Sequence, residues 1–513
     1  MRKIARRAPL FLCLLLAGIF FSRSQQQRPA YPSVLALYAD AQRDYDSATL
    51  ISHRTTYGTR EEQWEEALNA SALKKFQRLF AQLPRDPRFD SLRFFTSFKV
   101  GELQHYFENY ADAVNFYRTA IEVGKNTRLP DSLFFKPYLY SGIIYYNQNK
   151  FDSALQYFRI AESVQKKYNN GLQEGERLYN IVGVLYYERG NYRQAENYFQ
   201  KAIEVLSPQH EAYKNLYVNY HINLAQIYLK LEDYDKANSI YQKLLPLNIM
   251  TNEIYHNIGS LNLSLGAATK ALVYFRKVRS SYNKAVRLYN SMGNAFFASQ
   301  QYDSANIYYQ KAIQAYHAQG KNSDPAGYGS VLKSLGAYAL NFEQYDSALL
   351  YYQQALRQFY PSFTATGVET NPEKYSGVFS YINLFQTLAD KAEAWHRLYQ
   401  KTTRLSAAQQ ELATYQSAFR LIDYVERTYE SDEARLFLAK IKYILHSKPV
   451  SIAYILYTRT EDRRYLDALY LFDQQNKATA LVLSRQLSDT LRMTHSPLLQ
   501  KEQELKSVIT LSS

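Results

Sequence analysis

The feature that most constrains this chain is a helix-hairpin pattern that recurs about seven times. A small residue opens each copy: Gly101, Gly142, Gly183, Ala225, Gly259, Gly293 or Gly336. Several copies carry an aromatic three positions later, most carry Tyr or Phe nine later, and all carry Ala twelve later. An aromatic follows at sixteen and usually a small residue at nineteen. From Gly142 the copy runs Tyr145, Phe151, Ala154, Phe158 and Ala161; from Gly183 it runs Tyr186, Tyr192, Ala195, Phe199 and Ala202. Such a pattern commits the chain to stacked helix pairs, because one pair cannot bury its apolar face alone. Unrelated amphipathic helices would not keep small and aromatic residues at fixed offsets over so many copies.

The residue types follow from packing. Small side chains at the anchor and twelve residues on are expected where the two helices of a hairpin touch. The aromatics at plus nine and plus sixteen are expected to fill the space between one hairpin and the next. Asp-Ser-Ala at Asp152–Ala154, Asp303–Ala305 and Asp346–Ala348 places a carboxylate in the first turn of a second helix, where the positive dipole end favours it. The anchors are spaced by 41, 41, 42, 34, 34 and 43 residues, and a period of about 34 is that of the tetratricopeptide repeat. From about Phe95 to Phe359 the residues resemble tetratricopeptide units, with a weaker copy at Tyr45-Asp46-Ser47-Ala48. Gln104, Asn262 and Ala339 depart from the usual aromatic, and Pro208 and Pro246 only approximate the family's proline between units. The resemblance implies an all-α fold with almost no strand: a tetratricopeptide-type α-solenoid, a right-handed superhelix of helix hairpins.

The N-terminus points to export. Arg2, Lys3, Arg6 and Arg7 precede an apolar run from Ala8 to Phe21, and Ser22 and Ser24 suit cleavage before Gln25. A bilayer span needs about 20 apolar residues, so this run reads as a leader and not an anchor. Cys13 is the sole cysteine, and Leu12 before it is not the small residue of a lipoprotein box. The mature chain would hold no cysteine, be free of any membrane span and be periplasmic or secreted in a bacterium. The formal charge is +14, and five of the positives lie in the leader, leaving +9. The remaining Lys and Arg alternate with Asp and Glu, so a nucleic-acid partner is not expected. Tyr reaches 49 residues, most of it at packing positions.

The expected organisation is a signal peptide at 1–24, degenerate repeat helices at 25–95, the repeat array at 96–360, a linker at 361–375 and irregular helical hairpins at 376–513. Within the last region, Tyr465-Leu466-Asp467-Ala468-Leu469 followed by Phe472-Asp473-Gln474-Gln475-Asn476-Lys477-Ala478 resembles a helix pair of bacterial tetratricopeptide–CHAT proteins. Ser496–Lys506 is similar to the segment that follows that pair, although Asp473-Gln474 departs from the usual Ala-Glu. The resemblance implies a caspase-like CHAT domain with a His–Cys dyad beyond Leu505, which the 513 residues do not contain. Both a shortened relative of such proteins and a free-standing array fit the residues.

No catalytic, cofactor or metal site is expected. The nine His are scattered without HExxH or paired-ligand spacing, and the mature chain has no cysteine nucleophile. The Ser-x-x-Lys strings, such as Ser71–Lys74 and Ser330–Lys333, lack the partner motifs of an acyl-transfer site. In the repeat class the first helix of each hairpin lines the concave groove, with open positions expected at anchor −3, +1, +4 and +5. The candidate partner-binding residues there are Tyr146, Asn147, Asn180, Tyr187, Asn290, Asn294 and Phe297, accompanied by Gln226, Lys230, His256, Lys333 and Asn341. Asn amides pair with the backbone of an extended peptide, and aromatic rings add amphipathic area. The favoured function is an exported scaffold for a protein or peptide partner. The alternatives are an envelope receptor for glycans or other small ligands, and the sensor arm of a signalling protein.

Overall fold

A computed structural model of the chain describes residues 31–52, 59–84, 86–148, 150–209, 212–279, 284–318, 320, 324–378, 381–427 and 432–493. The expected leader, Met1–Ser24, and the Ser496–Lys506 segment lie outside these residues. Among the described residues the regular structure is helical throughout, with no strand.

The chain divides into two compact units. The first holds the described residues up to Gln148 together with Asp152–Leu172. Its helices are α1 (Tyr31–Ser52), α2 (Thr59–Gln82), α3 (Asp90–Tyr106), α4 (Tyr110–Asn126), α5 (Phe135–Asn147) and α6 (Phe151–Lys167). The second begins at Gln173 and continues the hairpins as α7 (Gly175–Glu188), α8 (Tyr192–Val205), α9 (Tyr213–Lys230), α10 (Tyr234–Leu244), α11 (Thr251–Ser264), α12 (Ala268–Phe275), α13 (Ala285–Ala298), α14 (Tyr302–Ala318), α15 (Pro325–Asn341) and α16 (Tyr345–Phe359). After a stretch without helix come α17 (Tyr381–Thr402), α18 (Leu405–Arg427), α19 (Asp432–Tyr443), α20 (Ser447–Thr460) and α21 (Arg463–Met493).

One steric device closes each glycine-anchored hairpin. A Cβ added to Gly101, Gly142, Gly183, Gly259, Gly293 or Gly336 would lie 2.4–2.8 Å from a ring carbon of the aromatic sixteen residues later. The glycine is needed for the close approach of that ring, not for its backbone. The alanine at plus twelve is wholly buried in all seven copies, from Ala113 to Ala348. The expectation for the plus-sixteen ring needs correction: it packs first inside its own hairpin. Tyr117 and Tyr309 then reach onward to Tyr140 and Tyr338 of the next hairpin, with ring centroids 6.0 and 6.2 Å apart.

A second aromatic set was not apparent from the spacing. Tyr157, Tyr198 and Tyr308, fifteen residues after their anchors, each stack on the plus-three ring: Tyr145 at 5.3 Å, Tyr186 at 5.5 Å and Phe296 at 5.1 Å. Each also meets a tyrosine four residues before the anchor, Tyr138, Tyr179 or Tyr289. Offset ring pairs of this kind add about 0.5–1.5 kcal/mol beyond area burial. The high tyrosine content thus serves a repeated packing rung.

The turn inside the hairpin is also repeated. Seven residues after the anchor the backbone enters the left-handed region, with φ of 58° at Glu108, 61° at Glu232, 59° at Gln300 and 55° at Glu343. The next N–H returns to the carbonyl at plus three, as in Asn191 to Tyr186 (2.9 Å) and Gln301 to Phe296 (2.9 Å). This six-to-one bond ends the first helix. The same residue can then cap the second helix: the side chains of Asn191 and Asp233 accept from the N–H groups of Gln194 and Lys236.

Candidate functional site

The first helices of the second unit curve around a shared interior. Glu188 at the end of α7 lies close enough to feel both Lys230 at the end of α9 and Arg287 on α13. Lys230 in turn feels Lys333 on α15. The start of α17 returns to this face: Tyr381 acts on Tyr192, and Ile382 packs against the buried cluster of α8–α11 that contains Tyr192. These groups therefore share one side of the second unit, reached by α7, α9, α13, α15 and α17.

The charges in this interior are of two kinds. Arg287 donates from Nε and Nη2 to Asp324, at 2.6 and 3.3 Å, and Asp324 also caps α15 by accepting from the Gly327 N–H. Burial disfavours the Asp324 charge, but the bonds from Arg287 outweigh it and hold the carboxyl below its ordinary value. Lys333 donates to Gln386 at 2.8 Å and stands 3.8 Å from Asp390. Glu188 and Lys230 differ, because neither has a hydrogen-bond or ion-pair partner among the described residues. Burial pushes the Glu188 carboxyl up to about 7, against the pull of Arg287 and Lys230. Lys230 remains open to water, yet burial lowers its ammonium pKa, with Lys333 adding to the effect and Glu188 opposing it.

The seven candidate residues separate by register. Asn147 is exposed at the end of α5, in the first unit, with Tyr146 half-buried beside it. Asn180 is half-buried and already engaged: its Oδ1 accepts from Asn223 Nδ2 on α9 at 3.0 Å. Asn290 is buried, where an open position was expected, and its Oδ1 has no hydrogen-bond partner among the described residues. The reason is that the residue three before the anchor lies one turn up the same face, beside the plus-sixteen ring. Phe98 on Tyr117 (5.8 Å) and His256 on Phe275 (5.7 Å) show the same geometry. His256 is likewise buried and bonded to Ser291, and burial, then Lys284 and Arg287, push it down to about 4.

Asn294 accepts from Tyr309 Oη at 2.9 Å. Tyr187 and Phe297, at plus four, pack on the plus-nine rings Tyr192 (5.5 Å) and Tyr302 (5.6 Å), and Phe297 also meets Tyr338. The plus-four and minus-three positions are therefore largely taken up by neighbouring side chains, while the plus-five residues Asn147 and Lys230 are exposed and Glu188 is half-buried. Glu188 is a plus-five residue in the same register as Lys230, so spacing alone was enough to find it. Asn223, Arg287, Asp324, Asp390 and Tyr381 were missed because they lie off that register or beyond the repeats. Among the described residues no cluster of three or more His, Cys, Asp and Glu is placed to hold a metal ion. No helix among them is long and apolar enough to cross a membrane.

Comparison with known proteins agrees with this architecture. One tetratricopeptide repeat family model matches residues 175–249 and a second matches 286–316. The chain is an all-α, tetratricopeptide-like fold. Similar solved structures include a tetratricopeptide repeat protein from Parabacteroides merdae, at 16% identity over 58% of this chain and 99% of that one, with a TM-score of 0.41. The apo form of the quorum sensor NprR from B. thuringiensis is 12% identical over 64% of this chain and 98% of that one, with a TM-score of 0.48. Aspartyl phosphate phosphatase F from Bacillus subtilis is 15% identical over 77% and 96%, with a TM-score of 0.44. No curated protein matches the chain in sequence.

Proposed function

We propose that this chain is an exported, non-catalytic scaffold that takes a peptide or protein partner on the enclosed first-helix face of its second unit. The observation that carries this reading is the pair of unpartnered, opposite charges, Glu188 and Lys230, on that face. Glu188 is half-buried and Lys230 exposed, so both are within reach of a ligand, and an incoming peptide supplies an N–H or ammonium for Glu188 and a carbonyl or carboxylate for Lys230. The Asn180–Asn223 amide pair, about two turns earlier on the same two helices, can exchange its mutual bond for bonds to an extended backbone. The alternative of a glycan receptor using Tyr187 and Phe297 has less support, since both rings already pack against neighbours. Export rests on the basic cluster and apolar run at the N-terminus, and intact-mass measurement of the native product should place its first residue near Gln25. The resemblance of Tyr465–Ala478 to tetratricopeptide–CHAT proteins supports a role as the sensing arm of a protease-like effector.

The groove reading is tested by selecting peptides from a random library on the wild-type chain and measuring their affinity for a Glu188→Gln, Lys230→Gln variant. Hydrogen bonds to charged groups contribute about 1.5–3 kcal/mol each, so a loss of about tenfold or more is expected. Unchanged affinity with the helical spectrum preserved would place the partner elsewhere.

A further inference from the structure

A separate cleft lies between α9 and α10, with a volume of about 750 Å³. Its wall on α9 is one helical stripe, Tyr213, Tyr217, His221, Leu224 and Tyr228, at steps of four, four, three and four. Ile240, Leu244, Leu247 and Ile249 form an apolar floor and lip, with Leu247 substantially exposed. Lys214, Lys236 and Lys243 also line it, and no Asp or Glu does. Lys236 is paired with Asp233 at 2.7 Å and lies over the Tyr228 ring. Lys214 and Lys243 have no ion-pair partner among the described residues. Nearby Glu196 is committed elsewhere, accepting from Tyr228 Oη and pairing with Arg193.

His221 completes the wall. Its Nδ1 lies 2.8 Å from the Tyr217 carbonyl, which can only accept, so Nδ1 carries a proton and Nε2 is left for a ligand. The adjacent cleft over α11, about 950 Å³, makes the contrast: Glu232, Asp233 and Asp235 line it together with Lys270 and Lys277. That cleft carries both signs of charge, with three carboxylates to two ammonium groups. The α9–α10 cleft has apolar and aromatic walls beside two ammonium groups, Lys214 and Lys243, that pair with no carboxylate among the described residues. Small-molecule sites are typically about 300–1,000 Å³, mostly apolar, with a few placed polar groups.

We propose that the α9–α10 cleft binds a small organic anion with an apolar body, of the arylalkyl carboxylate class, the carboxylate held by Lys214 and Lys243 and the body lying on Tyr217, Leu224 and Leu244. The test is calorimetric titration of the full chain with 4-phenylbutyrate and, separately, with its neutral isostere 4-phenylbutanamide. Saturable binding of the carboxylate, about tenfold or more tighter than the amide, is expected from charge-assisted bonding. In a Lys214→Gln, Lys243→Gln variant the carboxylate should fall to the affinity of the amide. A Lys270→Gln, Lys277→Gln variant of the adjacent cleft should bind as wild type. Equal affinity for the two compounds, absence of saturable binding, or loss of binding in the Lys270, Lys277 variant would overturn the assignment. Co-sedimentation with phosphatidylglycerol vesicles without phenylbutyrate binding would overturn it too, because the lysines would then serve a lipid surface.

Discussion

Within the second unit, the hairpins of α7–α16 and the helices of α17–α21 are held together in different ways. In the glycine-anchored hairpins the helices approach because a side chain is missing: Gly183 lies under Phe199 and Gly293 under Tyr309. The α17–α18 pair also uses alanines, Ala392, Ala394 and Ala408, but it is built around buried polar groups. Lys391 is wholly buried and donates to Gln353 Oε1 (2.7 Å), the Thr370 carbonyl (2.9 Å) and Asn371 Oδ1 (2.9 Å). Those acceptors come from α16 and from the stretch that follows it. Ser417 donates to the Pro372 carbonyl and Tyr375 to that of Ser417, which fastens the same stretch to α18. His396 and the buried Glu411 add a further pair at 3.0 Å. Sterics suffice inside each repeated hairpin, where the ring sits on the anchor glycine. Directional polar bonds take over where a single irregular segment must be held in one place.

Breaking the steric side should cost most. Tyr309→Ala is expected to destabilise the chain by about 3–5 kcal/mol in denaturant unfolding, the usual range for emptying a buried aromatic site. Lys391→Met tests the polar side. It strands three acceptors, each worth about 1–3 kcal/mol when left unpaired, and partial relaxation should bring the total to about 2–4 kcal/mol. Proteolysis within 361–378 should accelerate in Lys391→Met and not in Tyr309→Ala; cleavage at equal rates in both would break the comparison.

Lys391 also gives a pH signature. Burial pushes its ammonium down to about 7, with only Glu369 opposing. Between that value and the ordinary lysine range the unfolded chain binds more protons than the folded one, so stability rises with pH. Lys391→Met should lack this slope between pH 7 and 10, measured as the difference from wild type. A gain of about 0.5–1 kcal/mol is expected for Gln300→Gly, which relieves an exposed left-handed residue in a hairpin turn. No gain would show that this turn is not strained.

Anchor, alanine and plus-sixteen aromatic were legible because each is a fixed residue type at a fixed offset, and together they give the fold. The plus-fifteen tyrosines were not, because their partners at minus four and plus three lie on another helix and only the paired geometry joins them. The turn at plus seven carries glycine at Gly190 and Gly266, but elsewhere its left-handed backbone is hidden behind Glu108, Glu232, Gln300 and Glu343. For the candidate site, helical register showed which helices line the interior but not which positions remain open. Asn290 and His256 look like groove residues until the plus-sixteen ring is placed beside them. The fastening by Lys391 has no sequence signature, since its acceptors lie 38, 21 and 20 residues away on unrelated segments.

The central claim is that the absent side chain at the anchor and the ring above it form one steric unit. A double-mutant cycle on Gly293→Ala and Tyr309→Leu measures this directly by denaturant unfolding. Gly293→Ala places a methyl 2.4 Å from the Tyr309 ring and should cost about 1–3 kcal/mol alone. With Leu at position 309 that clash is gone, so the double variant should be more stable than the sum of the singles by about 1 kcal/mol or more. Additivity within about 0.5 kcal/mol would mean that glycine and ring act independently, and would contradict the account.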